Sequence, residues 1–220
     1  MVCYHFSATG ERKTSKSCTK GNFTAFGAHL IDKEEALCYT VRRSAQVGER
    51  RCCAVHKESI KTVCFTGHRS IPSEHMLQLP ALLDGQLRAL IARGATDFRA
   101  GGAMGFDMAA ELKVLELKAH FPDIRLHLYL PCHDQARLWA PTWRHVYEFI
   151  LNRADSVCYA ADNYTRGCML QRNRQMVRGS DVCVSYCTKS SGGSFYTCEY
   201  ARQQGLELIS LADVLGRLDQ

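Results

Sequence analysis

The chain has 220 residues, 46% apolar and 23% charged, a globular composition that excludes disordered and fibrous classes. At roughly 150 residues per domain, this length suits one full domain plus an appendage. The net charge of +6 is uneven: residues 1–60 carry 10 Lys/Arg against 6 Asp/Glu and residues 61–220 carry 18 against 16, so the body is nearly neutral, which argues against nucleic acid as a partner.

Residues 1–60 show no sustained period of 2 or 3.6 and predict an irregular appendage. They admit a small hairpin, an arm ordered by a partner, or a partly disordered stretch. Met1 to Lys20 is polar and basic, without the apolar core of a secretory signal. No apolar run approaches the roughly 18–20 residues of a membrane span, so no membrane partner is expected. With 12 cysteines and no visible secretory route, the thiols read as reduced in a cytoplasm. Cys64, Cys158 and Cys183 lie in apolar strand-like runs, where a thiol behaves as a small hydrophobe.

From Lys61 the pattern becomes regular. Thr62 to Thr66 predicts a buried strand stopped by Gly67. Ser73 opens a helix that ends at Gly94, with Pro80 expected to delay or kink its start. A strand over Thr96 to Ala100, a helix over Gly105 to His120 and a strand over Ile124 to Leu130 follow. Helices over Thr142 to Arg153, Cys168 to Gly179 and Ser194 to Gln204 then alternate with strands over Ser156 to Ala160, Asp181 to Cys187 and Leu206 to Ser210. Leu211 to Leu218 closes the chain. Such alternation predicts an α/β, Rossmann-like, mostly parallel sheet with helices on both faces, occupying residues 61–220. Ligands on such sheets sit at the carboxyl ends of the strands.

Three strand-to-helix junctions converge on that edge. Thr66-Gly67-His68-Arg69 offers close backbone approach at Gly67 and a planar guanidinium at Arg69, or is an ordinary solvated loop. Gly101-Gly102-Ala103-Met104-Gly105-Phe106-Asp107 precedes a helix and offers free N–H groups for an anion, without being a P-loop or a strict G-x-G-x-x-G. The plainer reading of Asp107 is a helix-start charge. Asp107 and Glu111, i and i+4 on one helix face, read as a ribose contact or as exposed first-turn acids. Ser190-Ser191-Gly192-Gly193-Ser194 repeats the logic before a helix carrying Glu199, or is simply an N-cap at Ser194. On the helix between the last two loops, Arg172 and Arg174 point about 200° apart, so only one faces a pocket.

Other clusters carry less. Cys3 with His5, and Cys52-Cys53 with His56, match no standard zinc spacing, so no metal is expected. Cys132-His133-Asp134 reads as a loop. Trp139 and Trp143 read as a hydrophobic lid or core, with one of them able to stack on a base.

Taken together, residues 61 to about 211 resemble the SLOG superfamily, a Rossmann-like group that includes the LOG-type lysine-decarboxylase-like phosphoribohydrolases and the DNA-processing protein A family. The YpsA-like bacterial family is the most similar. Its marks are Thr66-Gly67-His68-Arg69, Gly101 to Asp107 with Ala109-Ala110-Glu111, Arg172-Asn173 with Met176, Ser180-Asp181, and Gly192-Gly193-Ser194 with Thr197, Tyr200 and Ala201. The resemblance implies a pocket for a nucleotide or nucleotide derivative, such as an ADP-ribose-like compound, bound or sensed without a further cofactor. Gly67, Arg69, Gly101, Gly102, Gly105, Asp107, Gly192, Gly193 and Ser194 are the expected phosphate and ligand contacts. It also implies possible homodimerisation. Met169, Arg172 and Met176 fall on the LOG enzymes' Met-x-x-Arg-x-x-x-Met helix, and Gly192, Gly193 and Glu199 on their Pro-Gly-Gly-x-Gly-Thr-x-x-Glu. The Pro, third Gly and Thr are replaced. The alternative function is therefore a phosphoribohydrolase cleaving the N-glycosidic bond of a nucleoside 5′-monophosphate, with Glu199 and Arg172 as catalytic residues. A second alternative, by analogy with the DNA-processing relatives, is single-stranded DNA binding.

Overall fold

A computed structural model describes residues 3–5 and 60–218. In chain order the elements are β1 (Cys3–His5), β2 (Thr62–Gly67), α1 (Ser73–Ala92), β3 (Asp97–Ala100), α2 (Phe106–Leu117), β4 (Arg125–Leu130), α3 (Pro141–Leu151), β5 (Ser156–Tyr159), α4 (Cys168–Val177), β6 (Val182–Tyr186), α5 (Gly193–Gln203), β7 (Glu207–Ser210) and α6 (Leu211–Leu218). The strands form one sheet in the order β1-β5-β4-β3-β2-β6-β7. All neighbours from β5 to β7 are parallel, and β1 adds an antiparallel edge on β5. The expectations for the appendage beyond β1, its zinc ligands included, lie outside the described residues.

The apolar runs explain the layers. β2 and β6 sit at the centre, and Val63 to Phe65 and Val182 to Tyr186 are buried on both faces, as parallel strands require. On one face Leu79, Leu83, Leu87 and Leu90 of α1 pack with Phe106 and Val114 of α2, Ile150 of α3 and Leu215 of α6 in the main core. On the other face a smaller core joins Cys64 and Cys183 to Met176 and Val177 of α4 and Ala201 of α5. Cys64, Cys158 and Cys183 are buried, as their apolar surroundings led one to expect. α1 runs continuously through Pro80, which therefore neither delays its start nor ends it. Trp143 is 44% exposed and joins no core. Among the described residues no helix is long and apolar enough to cross a membrane.

Two aspartates pin the starts of the strands. Asp181 Oδ2 accepts the N–H groups of Lys61 and Thr62, both at 2.8 Å, which fixes β6 against β2. Asp155 Oδ2 accepts Leu126 N–H at 2.8 Å and the Lys118 ammonium at 2.6 Å. The chain leaves β2 for β3 on one side, while β6 on the other side leads to β7. The carboxyl ends of β2 and β6 therefore flank the topological switch point, where α/β sheets open a crevice.

Candidate functional site

A cavity of about 360 Å³ occupies that crevice. Gly67, His68 and Arg69 of the β2–α1 loop form one wall, and Ala103 and Asp107 at the start of α2 another. Met169, Arg172 and Asn173 of α4 and Gly193 and Ser194 of α5 complete it. The first two walls are locked by glycine. Phe106 N–H donates to His68 O at 3.1 Å, and a Cβ on Gly67 would lie 2.4 Å from Phe106 Cβ. Gly105 has φ 90°, and its missing Cβ would stand 2.4 Å from Arg69 O. No other residue allows α2 to start this close to the loop.

Beneath the cavity lies a buried ionic cluster. Asp107, Glu111 and Arg172 are 4%, 0% and 7% exposed. Arg172 Nη1 stands 3.7 Å from Asp107 Oδ2. Burial pushes Asp107 up to about 6, against the opposing pull of Arg172 and of N–H groups from Gly101, Ala103 and Gly67. Burial and the neighbouring Asp107 push Glu111 up to about 8, although Gly102 N–H donates to its Oε1 at 2.8 Å. Burial lowers the Arg172 guanidinium from its ordinary value. At neutral pH the cluster thus holds one carboxylate, one protonated glutamic acid and one guanidinium, with no net charge. Arg172 Nε and Glu111 Oε2 are buried without a hydrogen-bond partner among the described residues.

This cluster redirects the second glycine loop. Its N–H groups satisfy the protein's own acids: Gly101 and Ala103 serve Asp107, and Gly102 serves Glu111. The carbonyl of Gly102 accepts Gln135 Nε2–H at 2.6 Å. Gly101, Gly102 and Gly105 therefore shape the site without lining it. The third loop differs. The first helical bond of α5 runs from Tyr196 N–H to Gly192 O, so the amides before it have no helical acceptor. Gly192, at φ 94°, turns the chain into that helix. Ser194 Oγ–H donates to Gly67 O at 2.7 Å, tying α5 to β2. His68 Nε2 accepts Thr188 N–H at 2.9 Å, and burial and Lys189 lower its pKa, so its ring is neutral.

Residues 64–209 match the profile of the YspA SLOG family. The chain belongs to the YpsA SLOG family. A UPF0398 protein of Bacillus thuringiensis (strain Al Hakam) is 27% identical over 127 residues, which span 54% of this chain and 67% of the relative. Two solved structures share the fold of this SLOG protein. DNA processing protein A of Helicobacter pylori has a TM-score of 0.52 and 19% identity, covering 70% of this chain and 66% of that one. DNA processing protein A of Streptococcus pneumoniae has a TM-score of 0.54 and 17% identity, covering 73% and 56%.

The expectation against nucleic acid as a partner, drawn from the near-neutral body, is corrected by these neighbours. The Helicobacter pylori protein, with the same fold, binds single-stranded DNA. Net charge averages over a body, whereas a phosphate backbone meets local charge. In this SLOG protein Arg69 and Arg172 line the cavity, Arg174 lies on the same helix as Arg172, and Arg178 follows directly after that helix ends.

Of the residues expected at the site, the structure brings together Gly67, Arg69, Asp107, Arg172, Gly193 and Ser194. It does not bring Glu199 to Arg172. Six residues past Gly193, Glu199 is turned about 240° around α5. Its carboxylate pairs with Arg202 and lines a separate cavity beside Cys187 and Lys189. Arg172 points inward and Arg174 outward, as helix geometry demands. Asp107 and Glu111, whose plainer reading was exposed first-turn acids, are instead the buried floor. Gln135 carried no sequence signal at all.

Proposed function

We propose that this protein binds a phosphorylated nucleotide at the switch point, with the phosphate in the cavity between Arg69, Arg172 and the first turn of α5. The observation that supports this most is Arg172: a buried guanidinium side chain lining a polar cavity, opposite a helix start whose amides have no helical acceptor. Asp107 already offsets the charge of Arg172, so attraction for a dianion rests on the exposed Arg69 and on those amides. Cleavage of the ligand through Glu199 is not part of this reading, because that carboxylate faces elsewhere. Calorimetric titration tests it: a nucleoside monophosphate binds more tightly than its nucleoside. Arg69→Ala weakens the nucleotide about tenfold or more, the scale of one charged hydrogen bond, at unchanged melting temperature. Equal binding of nucleotide and nucleoside overturns it.

A second reading, a single strand laid across this edge, is favoured by a ladder on α4 and α5. Arg174 Nε–H donates to Tyr196 OH at 2.7 Å and Arg178 Nε–H to Tyr200 OH at 3.1 Å. The two tyrosine rings are parallel with centroids 6.4 Å apart, and the Arg174 guanidinium lies within 6 Å of both. Arginine and aromatic rings in alternation are what single strands stack upon. An oligonucleotide arm of the same titration separates the readings: a strand complex weakens steeply with salt and loses affinity in Tyr196→Ala. No complex at about 50 mM salt removes the second reading.

A further inference from the structure

We propose that Cys187 and Cys198 are a peroxide-reactive dithiol, whose disulfide staples the loop after β6 to the second turn of α5. The proposal goes beyond nucleotide binding and does not rest on it. Both thiols line the separate cavity of about 320 Å³ that holds Glu199. Side chains alternate along a strand, and on this face of β6 Cys183 packs with Ala201 of α5. Cys198 stands three residues before Ala201, and its thiol comes within hydrogen-bond reach of the Ser185 hydroxyl and of the Cys187 thiol. The two sulfurs therefore already meet across the strand–helix contact.

Access divides the roles. Of the cysteines in residues 60–218, Cys187 alone is not buried. Its Sγ–H donates to Lys189 O at 3.3 Å, and the Lys189 side chain lines the same cavity. An accessible thiol beside a second cysteine is the arrangement that small oxidants select. Burial holds the Cys198 thiol up at about 11, so it stays protonated and answers Cys187 rather than attacking first. It needs no path to solvent, only to the Cys187 sulfur. Two other pairs of thiols touch, Cys64 with Cys183 and Cys132 with Cys168, but all four are 0–1% exposed and out of an oxidant's reach.

The oxidant is a hydroperoxide, here hydrogen peroxide. The Cys187 thiolate attacks one peroxide oxygen, the O–O bond breaks, and the departing hydroxide takes up a proton as water. Cys187 is then a sulfenic acid. The Cys198 sulfur displaces its oxygen, which leaves as a second water with the Cys198 proton. Two thiols lose two electrons to one peroxide, giving one disulfide and two waters. The ring so closed contains Thr188, whose N–H holds His68, and Gly193 and Ser194 of the first cavity. The cross-link restrains the segment that carries them.

The test is exposure of the full chain to a small molar excess of hydrogen peroxide, alkylation of the remaining thiols and digestion with trypsin. The peptides 179–189 and 190–202 are expected to run joined, to separate with reductant, and to stay separate in Cys187→Ser. In Cys198→Ser the sulfenic acid is expected to persist at Cys187 and to be trapped by dimedone. If Cys198→Ser fails to fold, Cys187→Ser, at the half-buried position, decides alone. A joined pair that survives Cys187→Ser assigns the bond to Cys183, which shares a peptide with Cys187, and overturns the proposal. Complete alkylation of Cys187 and Cys198 after peroxide overturns it too. So does sulfinic acid at Cys187 of the wild type with Cys198 still a thiol, because Cys198 then fails to answer.

Discussion

Gly101→Ala is expected to abolish ligand binding and to cost about 3–5 kcal/mol of stability, the scale of a broken buried ion pair. Gly101 does not have a positive φ, so alanine suits the backbone and the effect is purely steric. The added Cβ would lie 1.3 Å from Arg172 Nη1 and 2.8 Å from Asp107 Oδ2. The guanidinium has to leave, and Asp107 then keeps a buried charge without its partner. Asp107 can escape by taking a proton, so the loss is smaller near pH 6 than near pH 8. Thermal unfolding of Gly101→Ala, Arg172→Leu and the double variant reads the coupling. The double variant is expected to be less destabilised than the sum of the singles, because each removes the same contact. Strict additivity, or wild-type nucleotide affinity in Gly101→Ala, contradicts the assigned role of Arg172.

The strands and helices were legible because this fold repeats a simple rule. Apolar runs such as Val63-Cys64-Phe65 and Val182-Cys183-Val184 end in glycine or polar loops, and helices with an apolar stripe separate them. The loops that meet at the switch point were legible too, since glycine beside a helix start is a local signal. The direction in which those loops spend their N–H groups was not. Acids at a helix start look like dipole partners, and only the crossing of the β2–α1 loop over α2, permitted by Gly67 and Gly105, buries Asp107 and Glu111. That crossing joins segments about forty residues apart and leaves no periodicity to read. Glu199 came from alignment to a motif whose neighbouring residues are replaced, and its phase on α5 carries it past the cavity. Gln135, whose amide bonds the Gly102 carbonyl, lies on the loop between β4 and α3, which follows no repeating pattern.

Glu111 is the group through which pH reaches this site. Its folded-state pKa is raised from 4.5 to about 8, so the folded protein holds a proton that the unfolded chain has released. A raised pKa contributes stability that is complete below the unfolded value and is lost as pH rises through the folded one. Asp107, raised from 3.8 to about 6, has spent its share by neutral pH. Between about pH 6.5 and 8, Glu111 therefore dominates, with a slope of up to about 1.4 kcal/mol lost per pH unit. His68, with its lowered pKa, titrates below this window, and the buried thiols Cys132 and Cys198 matter only above it, where unfolded thiols ionise. Glu111→Gln keeps an acceptor for Gly102 N–H but has no proton to lose. Its denaturation midpoint is expected to stay level across the window while the wild-type midpoint falls. Parallel slopes in the two proteins would refute a protonated Glu111. The same proton decides what a phosphate meets: with Glu111 neutral, Arg172 is balanced by one carboxylate, and with Glu111 ionised the floor of the cavity turns negative. Nucleotide affinity is therefore expected to drop through the same interval in wild type and to drop less in Glu111→Gln.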